Sequence, residues 1–231
     1  MKLIVVSSEH FPNKEEKAFD RLFSEGLGIL HLRKPGAEKA QIEKILRQID
    51  AKYHPRIVLH DHFSLTDKYD LKGIHLNQRN PFFSDVGKKL SRSRSCHTLT
   101  EIEQYKPESD YLFLSPIFDS ISKTGYTSNF SEKDLSEAAK KGIIDSKVIA
   151  LGGITLSNID RLKRYGFGGI AILGAIWNDF EKNNDLDQLA EIFRNIKSKC
   201  CNSLHIPTLD TITCNQPNRH CKADANGFNS E

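Results

Sequence analysis

Four histidines lie near the ends of four successive short apolar segments of this chain: His31, His60, His75 and His97. An imidazole titrates close to neutral pH, so it can carry a proton in catalysis or, when neutral, bind a metal ion. A single histidine is usually a satisfied structural group. Four of them at equivalent positions instead predict a shared polar site that is suited to proton transfer.

Side chains that bind anions occur at the same segment ends. In GILHLRKPG, alternation of strand side chains sends Leu30 and Leu32 to one face and His31 and Arg33 to the other. Arg33 can hold a phosphate or carboxylate in bidentate fashion, and pairing with a neighbouring acid is the alternative. Ser95, in SCH, shares a face with His97.

Two hydroxyls and a cation follow the sixth apolar segment, in the loop SPIFDSISKTGY: Ser120, Ser122 and Lys123. Such a loop can close over an oxyanion or a phosphate, and an ordinary surface loop is the alternative. Because Lys123 lies beyond the strand, we do not expect a Schiff-base aldolase, in which the lysine is planted in a strand.

Glycines at two further segment ends predict a phosphate site. Gly152 and Gly153 follow VIAL, and Leu173 and Gly174 end GGIAIL. Glycine lets backbone N–H groups approach a ligand, and a helix that begins nearby favours an anion. Strands seven and eight of an α/β barrel commonly hold a phosphate in this way. Tight strand-to-helix turns without a ligand are the alternative.

A zinc site is the weaker prediction. His60 and His62 form a His-x-His pair, but no paired-cysteine motif or ligating acid accompanies them at a matching spacing. Four of the five cysteines lie in the last 32 residues, where their spacing matches neither a zinc motif nor a disulfide framework.

The elements that position these residues alternate between apolar segments and amphipathic stretches. The predicted strands are Leu3–Val6, Leu27–Leu32, Arg56–His60, Gly73–Leu76, Leu90–Ser95, Tyr111–Leu114, Lys147–Leu151 and Gly169–Leu173. The predicted helices are Glu15–Glu25, Glu38–Tyr53, Ser64–Tyr69, Thr98–Gln104, Ser131–Lys140, Ser157–Tyr165, with Ser157 as its N-cap, and Asp185–Lys199. Eight such β/α units predict a parallel α/β fold, a single (β/α)8 TIM barrel over residues 1–199, with function at the C-terminal ends of the strands.

Residues 200–231 lack hydrophobic periodicity and contain many turn formers, which predicts a poorly ordered tail. The net charge of +3 and pI of about 8.5 are too mild to indicate a nucleic-acid or membrane partner. The apolar run Leu3–Val6 is too short for a signal peptide, so we expect a cytoplasmic protein. A homo-oligomer stays open, because sequence pattern does not separate a barrel face from a dimer surface.

Over about residues 3–198 the chain resembles the thiamine phosphate synthase/TenI family. The resemblance rests on an ordered set of motifs: HLRK, LHD, GIHLNQ, SCHT, DYLFLSPIFDSISKTG, ALGGIT and GGIAILGAI. It implies a thiamine-biosynthesis enzyme. Synthase members use Mg²⁺ and join hydroxymethylpyrimidine pyrophosphate to a thiazole phosphate carboxylate, releasing pyrophosphate. Characterised TenI members aromatise a tautomer of the thiazole phosphate carboxylate by proton transfer, for which no cofactor is expected.

The resemblance also implies roles for particular residues. Those implied to hold the thiazole phosphate are Gly152, Gly153, Leu173 and Gly174. Those implied to contact pyrophosphate are Arg33, Ser95 and Lys123, while Ser120 and Ser122 stand where the family usually has threonine. Asp61 would be a Mg²⁺ ligand in a synthase. His97, His31 and Lys123 are the candidate catalytic residues.

Departures from the synthase pattern favour the tautomerase. His31 and His60 stand where synthases have Gln and Asn, Pro35 stands at a lysine position, and Asn80 replaces the second acidic Mg²⁺ ligand. His31 matches a histidine of the TenI branch. His97 stands where that branch has its catalytic histidine, but synthases carry this histidine too, so His97 alone does not discriminate. We therefore predict a thiazole tautomerase, with a synthase as the alternative. A non-catalytic paralogue that binds thiazole phosphate and an unrelated phosphate-binding isomerase also stay open.

Overall fold

The computed structural model describes residues 1–84, 89–119, 128 and 130–201. Eight parallel strands form a closed barrel in chain order. The strands are β1 (Lys2–Val6), β2 (Ile29–Leu32), β3 (Ile57–Leu59), β4 (Gly73–Leu76), β5 (Ser91–Cys96), β6 (Tyr111–Leu114), β7 (Val148–Leu151) and β8 (Gly169–Ile172). The predicted (β/α)8 barrel is therefore confirmed, and all strand C-termini open onto one end of it, here called the mouth.

Helices cover the outside of the barrel. They are α1 (Glu15–Ser24), α2 (Lys39–Gln48), α3 (Leu99–Tyr105), α4 (Glu132–Lys140), α5 (Ile159–Lys163), α6 (Gly174–Asn183) and α7 (Leu186–Cys201). Local sequence fixes several of their starts. In α3, for example, Thr98 accepts from the Glu101 backbone N–H, and the Glu101 side chain accepts from the Thr98 backbone N–H, so that both donors are satisfied.

Alternation along the strands builds two apolar layers. One lies between strands and helices and includes Leu30 and Leu32. The other lies inside the barrel and is formed by Ile4, Val6, Tyr111, Phe113, Ile149 and Ala171. Hence the sequence prediction that His31 points inward is confirmed, since it is fully buried beside Phe113.

Strand β5 shows why its sequence, SRSRSC, looks weakly apolar. Cys96 is buried in the layer beneath the helices, whereas Ser93 is buried on the inner side, where it hydrogen-bonds to His75. A hydroxyl therefore occupies an interior position that would otherwise carry an apolar side chain.

Several predicted helices differ from the observed ones. Helix α6 was not predicted, because GAIWNDF follows β8 without a turn signal. The segment predicted as one helix over Glu38–Tyr53 ends at Gln48, and a 3₁₀ segment, Ala51–Arg56, follows. The predicted helix Ser64–Tyr69 is a 3₁₀ segment, Phe63–Asp67.

The last two helix predictions also need correction. Asn158, not Ser157, precedes α5, and the Ser157 hydroxyl bonds to Thr155 instead. Cys200 and Cys201, expected to begin the tail, belong to α7, because Cys200 continues the apolar stripe and is buried. Residues 202–231 lie outside the described residues, and so does the rest of the tail prediction.

Among the described residues, no helix combines the length and the apolar character needed to span a bilayer.

Candidate functional site

Three of the four predicted histidines form a cluster inside the barrel. His31, His60 and His75, from the neighbouring strands β2, β3 and β4, are at most 4% exposed. The His60 and His75 rings stack with centroids 4.2 Å apart, and His31 packs edge-on against both at 5.1 Å. This cluster, His31–His60–His75, lies below the mouth, between it and the apolar interior.

Hydrogen bonds engage both ring nitrogens of two of these histidines. His31 Nδ1 lies 2.9 Å from His60 Nε2, and His31 Nε2 lies 2.7 Å from the Tyr111 hydroxyl. His75 Nδ1 and Nε2 lie 2.8 Å from Ser93 Oγ and Ser95 Oγ respectively. His31 is therefore held by protein groups on both sides, so the structure places this candidate catalytic residue beneath the mouth.

Burial keeps the cluster neutral. Desolvation lowers the pKa of His31 and of His60 well below the ordinary value, with the neighbouring imidazoles as a further cause. Desolvation, followed by the charges of Arg33 and Arg94, lowers the pKa of His75 to about 3. Neutral imidazoles can accept hydrogen bonds or bind metals, but they carry no positive charge that could bind an anion.

His97 is separate from the cluster. It is exposed just beyond the end of β5, and its Nδ1 lies 3.1 Å from the Ser115 carbonyl oxygen. Its side chain also lines a cleft of about 400 Å³ next to α3 and α4, together with Leu99, Phe130 and Glu137. Of the four histidines, His97 is the one that is exposed to solvent.

Arg33 lies at the mouth, paired with an acid. Its guanidinium contacts Glu9 Oε1 at 2.7 Å, and both side chains are about one-quarter exposed. Ser7 Oγ bridges the backbone N–H and carbonyl of Arg33, at 2.9 Å from each, which fixes the residue. The ion pair is the alternative considered above, and an anionic ligand would have to displace Glu9 or share Arg33 with it.

Lys34 does not replace the lysine missing at position 35. Its ammonium is buried, 2.5 Å from Glu15 Oε1, and it donates to the His10 carbonyl oxygen beneath the Phe11 ring. Burial raises the pKa of Glu15 to about 7 and lowers the pKa of Lys34, which is expected for an ion pair removed from water. Lys34 is thus a structural residue.

Asp61, the candidate Mg²⁺ ligand, lies at the end of β3 with two partners. Asn80 Nδ2 donates to Asp61 Oδ1 at 2.7 Å, and Arg79 Nη2 lies 3.3 Å from Oδ2. Mg²⁺ prefers hard oxygen ligands, and proteins often hold it through one or two carboxylates together with substrate phosphates. Asp61 fits such a site as its single carboxylate, with a substrate supplying the other anionic oxygens, whereas the Asn80 amide points its nitrogen toward Asp61.

The two glycine turns lie side by side at the mouth, because β7 pairs with β8. Gly152 and Gly153 have φ of +98° and +61°, and a Cβ on Gly153 would lie 2.3 Å from the Asp119 carbonyl oxygen. The close backbone therefore requires glycine, even without a ligand. Leu173 precedes α6 and Gly174 begins it, so the first turn of α6 follows the end of β8 directly.

Other predicted residues have different outcomes. Ser95 lies at the end of β5 and contacts the cluster through His75. His62 points away from it and bonds to the Ala37 carbonyl oxygen. Ser120, Ser122 and Lys123 lie outside the described residues.

Sequence analysis missed four participants: Glu9, Arg79, Ser93 and Tyr111. Ser93 and Tyr111 carried a usable signal, since alternation places them on the inner face of β5 and β6, opposite His75. Glu9 and Arg79 lie in loops, where no periodicity indicates what a side chain contacts.

Comparison with known proteins identifies the family. The family model described as thiamine monophosphate synthase matches residues 3–176. The chain is 25% identical over 185 residues to the thiamine-phosphate synthase of Halalkalibacterium halodurans, covering 76% of this chain and 87% of that protein. The corresponding protein of Dictyoglomus turgidum is 29% identical over 184 residues, covering 74% and 81%.

A solved structure is more similar still. It is a thiamine phosphate pyrophosphorylase from Bacteroides thetaiotaomicron, 43% identical, which superposes with a TM-score of 0.77 over 86% of this chain and 97% of that one. Together with the closed (β/α)8 barrel, these matches show that the chain belongs to the thiamine phosphate synthase/TenI family.

Proposed function

We propose that the protein is a thiamine phosphate synthase, which joins hydroxymethylpyrimidine pyrophosphate to thiazole phosphate carboxylate and releases pyrophosphate. The observation that carries this proposal is the position of Asp61 at the mouth, just beyond the end of β3, which pairs with β2, the strand that Arg33 follows. A carboxylate and a guanidinium at adjacent strand ends suit a metal-bound pyrophosphate. The synthase names of the relatives support the same reaction.

The thiazole phosphate would bind between the ends of β7 and β8. Backbone N–H groups of the Gly152–Gly153 turn and the first turn of α6 are suited to an anion, and the positive end of a helix stabilises negative charge. Trp177 Nε1 donates to the Val6 carbonyl oxygen at 2.7 Å and fixes α6 to the barrel. This contact would keep the phosphate-binding turn in place during the reaction.

Arg33 would bind the pyrophosphate on the other side of the mouth, with Lys123 and the hydroxyls of Ser95, Ser120 and Ser122 as further contacts. Negative charge grows on pyrophosphate as the bond to the pyrimidine methylene breaks, and positioned cations stabilise that charge. Bound at Asp61, Mg²⁺ would supply further charge neutralisation to the same leaving group.

The tautomerase is a second candidate, favoured by Asn80. An amide that donates to Asp61 weakens the implied metal pair, and aromatisation needs no pyrophosphate-binding group. In this case His97, exposed at the mouth, would move the proton, and Arg33 with Ser95 would hold the substrate carboxylate.

One incubation separates these candidates. The protein is mixed with the thiazole phosphate carboxylate tautomer, hydroxymethylpyrimidine pyrophosphate and Mg²⁺, and aromatisation and pyrophosphate release are followed separately. Pyrophosphate release with thiamine phosphate formed, lost in Asp61→Asn and kept in His97→Asn, supports the synthase. Faster aromatisation without pyrophosphate release, lost in His97→Asn and kept in Asp61→Asn, would contradict the synthase and indicate the tautomerase. Neither signal, with thiazole phosphate still bound, would indicate the binding paralogue.

A further inference from the structure

The cluster His31–His60–His75 has no role in the proposed reaction, although it fills the barrel below the mouth. One nitrogen from each imidazole lies within 4.8 Å of the other two, and all three side chains are buried. Neutral imidazoles with converging nitrogens are the form in which histidine binds a transition metal. The directions of the surrounding hydrogen bonds indicate which nitrogens carry lone pairs.

Ser93 sets the tautomer of His75. The Ser93 hydroxyl donates its single proton to the Ile74 carbonyl oxygen at 3.3 Å. With that bond made, its oxygen accepts from His75 Nδ1, 2.8 Å away, in the tautomer that carries the imidazole proton on Nδ1. The lone pair is consequently on Nε2, where Ser95 donates to it from 2.8 Å.

Tyr111 is the corresponding oxygen partner of His31. Its hydroxyl lies 2.7 Å from His31 Nε2 and can accept from an Nε2–H. In that tautomer the lone pair of His31 is on Nδ1, facing His60 Nε2 at 2.9 Å.

We propose that the cluster His31–His60–His75 is a binding site for a divalent transition metal of the zinc and cobalt class. Two of the histidines already have an oxygen partner on one ring nitrogen, as imidazole ligands of metals do: His31 Nε2 contacts the Tyr111 hydroxyl and His75 Nδ1 contacts the Ser93 hydroxyl. Such outer partners orient imidazole ligands in metal sites and raise their basicity.

Binding requires a defined local change. Zn–N bonds of about 2.0–2.1 Å in a tetrahedral site place ligand nitrogens about 3.3–3.4 Å apart. His31 Nδ1 and His60 Nε2, now 2.9 Å apart, must therefore separate by about 0.4 Å, whereas nitrogens as far as 4.8 Å apart must approach by about 1.4 Å. The single imidazole proton of His60 moves by exchange with solvent from Nε2 to Nδ1, so that Nε2 offers its lone pair while the ring stays neutral. The His31–His60 hydrogen bond is lost, and Ser95 gives up its hydrogen bond to His75. No electron is transferred.

The fourth ligand should be an anion. Arg33 and Arg79 lie close enough to influence the charge of His60, and Arg33 and Arg94 that of His75. A dication among these guanidinium groups is stabilised when hydroxide or a phosphate oxygen enters from the mouth. Inorganic phosphate or pyrophosphate should therefore increase the affinity for the metal.

The test is a titration of the full-length, metal-stripped protein with Co²⁺, followed by its visible d–d absorption, and equilibrium dialysis with Zn²⁺. We expect one equivalent per chain with the spectrum of four-coordinate cobalt. His31→Gln and His60→Asn should each weaken binding at least about tenfold. His62→Asn, which removes an imidazole pointing away from the cluster, is the matched control and should bind normally.

Two results would overturn the proposal. One is the absence of stoichiometric four-coordinate Co²⁺ in the unaltered protein, which decides the question even if the variants fail to fold. The other is an unchanged Co²⁺ spectrum in folded His31→Gln and His60→Asn, which would assign the metal to other ligands such as those of residues 202–231. Neither result depends on synthase activity, so failure here leaves the proposed function standing.

Discussion

Replacing Lys34 by methionine should destabilise the protein in a pH-dependent way without weakening substrate binding. The ammonium of Lys34 is fully buried 2.5 Å from Glu15, whose side chain is 5% exposed. Removing one partner of such a pair leaves a buried charge uncompensated, which typically costs about 3–5 kcal/mol. The retained carboxyl escapes this cost only by taking up a proton.

The size of the effect follows from the pH. Burial holds the pKa of Glu15 at about 7 in the fold, against an ordinary value of 4.5. Because the folded-state pKa is the higher one, the contribution of this group to stability is complete below pH 4.5 and is lost as the pH rises to about 7. Without Lys34 the pKa rises further, so the loss continues at about 1.4 kcal/mol per pH unit, reaching about 4 kcal/mol at pH 7.5.

The measurement is the unfolding free energy from urea titrations between pH 5 and pH 8.5. The unaltered protein and Lys34→Met are each compared with the double variant Glu15→Gln/Lys34→Met, which holds no buried charge at either position. The difference in unfolding free energy from the double variant should level off near pH 7 for the unaltered protein. For Lys34→Met this difference should keep growing as the pH rises. Two results would refute the assignment of Lys34 as structural. One is an equal slope of unfolding free energy against pH above pH 7 for the unaltered protein and Lys34→Met. The other is a raised KM for the pyrophosphate substrate in the double variant.

Three further predictions concern the mouth. Arg33→Gln should raise the KM for the pyrophosphate substrate about tenfold or more, while unfolding changes by less than about 1 kcal/mol because the Glu9 pair is partly exposed; an unchanged KM would contradict this. Asn80→Asp should strengthen Mn²⁺ binding, measured by electron paramagnetic resonance, and Mg²⁺-dependent coupling, because a second carboxylate then faces Asp61 Oδ1; unchanged affinity would count against an Asp61 metal site. Gly153→Ala should lower both Tm and the affinity for thiazole phosphate, since its Cβ would meet the Asp119 carbonyl oxygen. The control is Gly142→Ala, which has a similar φ and open space around it and should lower only Tm. An equal loss of affinity in both variants would argue against the phosphate site.

The fold was predictable because most strands and most helices carry their own periodicity, and the weakly apolar β5 falls where the series of β/α units requires a strand. Leu30 and Leu32 alternate with His31, and the register of β2 against β1 and β3 then places His31 inside the barrel. Helix α6 escaped prediction for a physical reason. Trp177 in this helix donates to the Val6 carbonyl oxygen, a contact between residues 171 positions apart in the chain, which no local sequence pattern shows.

The candidate site was only partly predictable, because strand alternation gives the face of a side chain and not its depth. His31, His60, His75 and His97 all end strands in the sequence, yet three are buried in one network and only His97 is exposed. Depth depends on how far each strand extends past its neighbours, which is set by the closed barrel. The hydroxyl partners of the cluster lie on β5 and β6. They could be found once the pairing of β4 with β5 and of β5 with β6 was known.

Charges at the mouth show a further property that no single residue reveals. Both guanidinium groups described there are paired with a carboxylate, Arg33 with Glu9 and Arg79 with Asp61. Without substrate, these pairs neutralise a surface that would otherwise repel a metal ion and a second cation. An anionic substrate that takes Arg33 and Arg79 would release the carboxylates of Glu9 and Asp61, so anion and metal should each increase the affinity for the other. Under the proposed synthase function, the same coupling would allow one carboxylate to suffice where the synthase pattern has two.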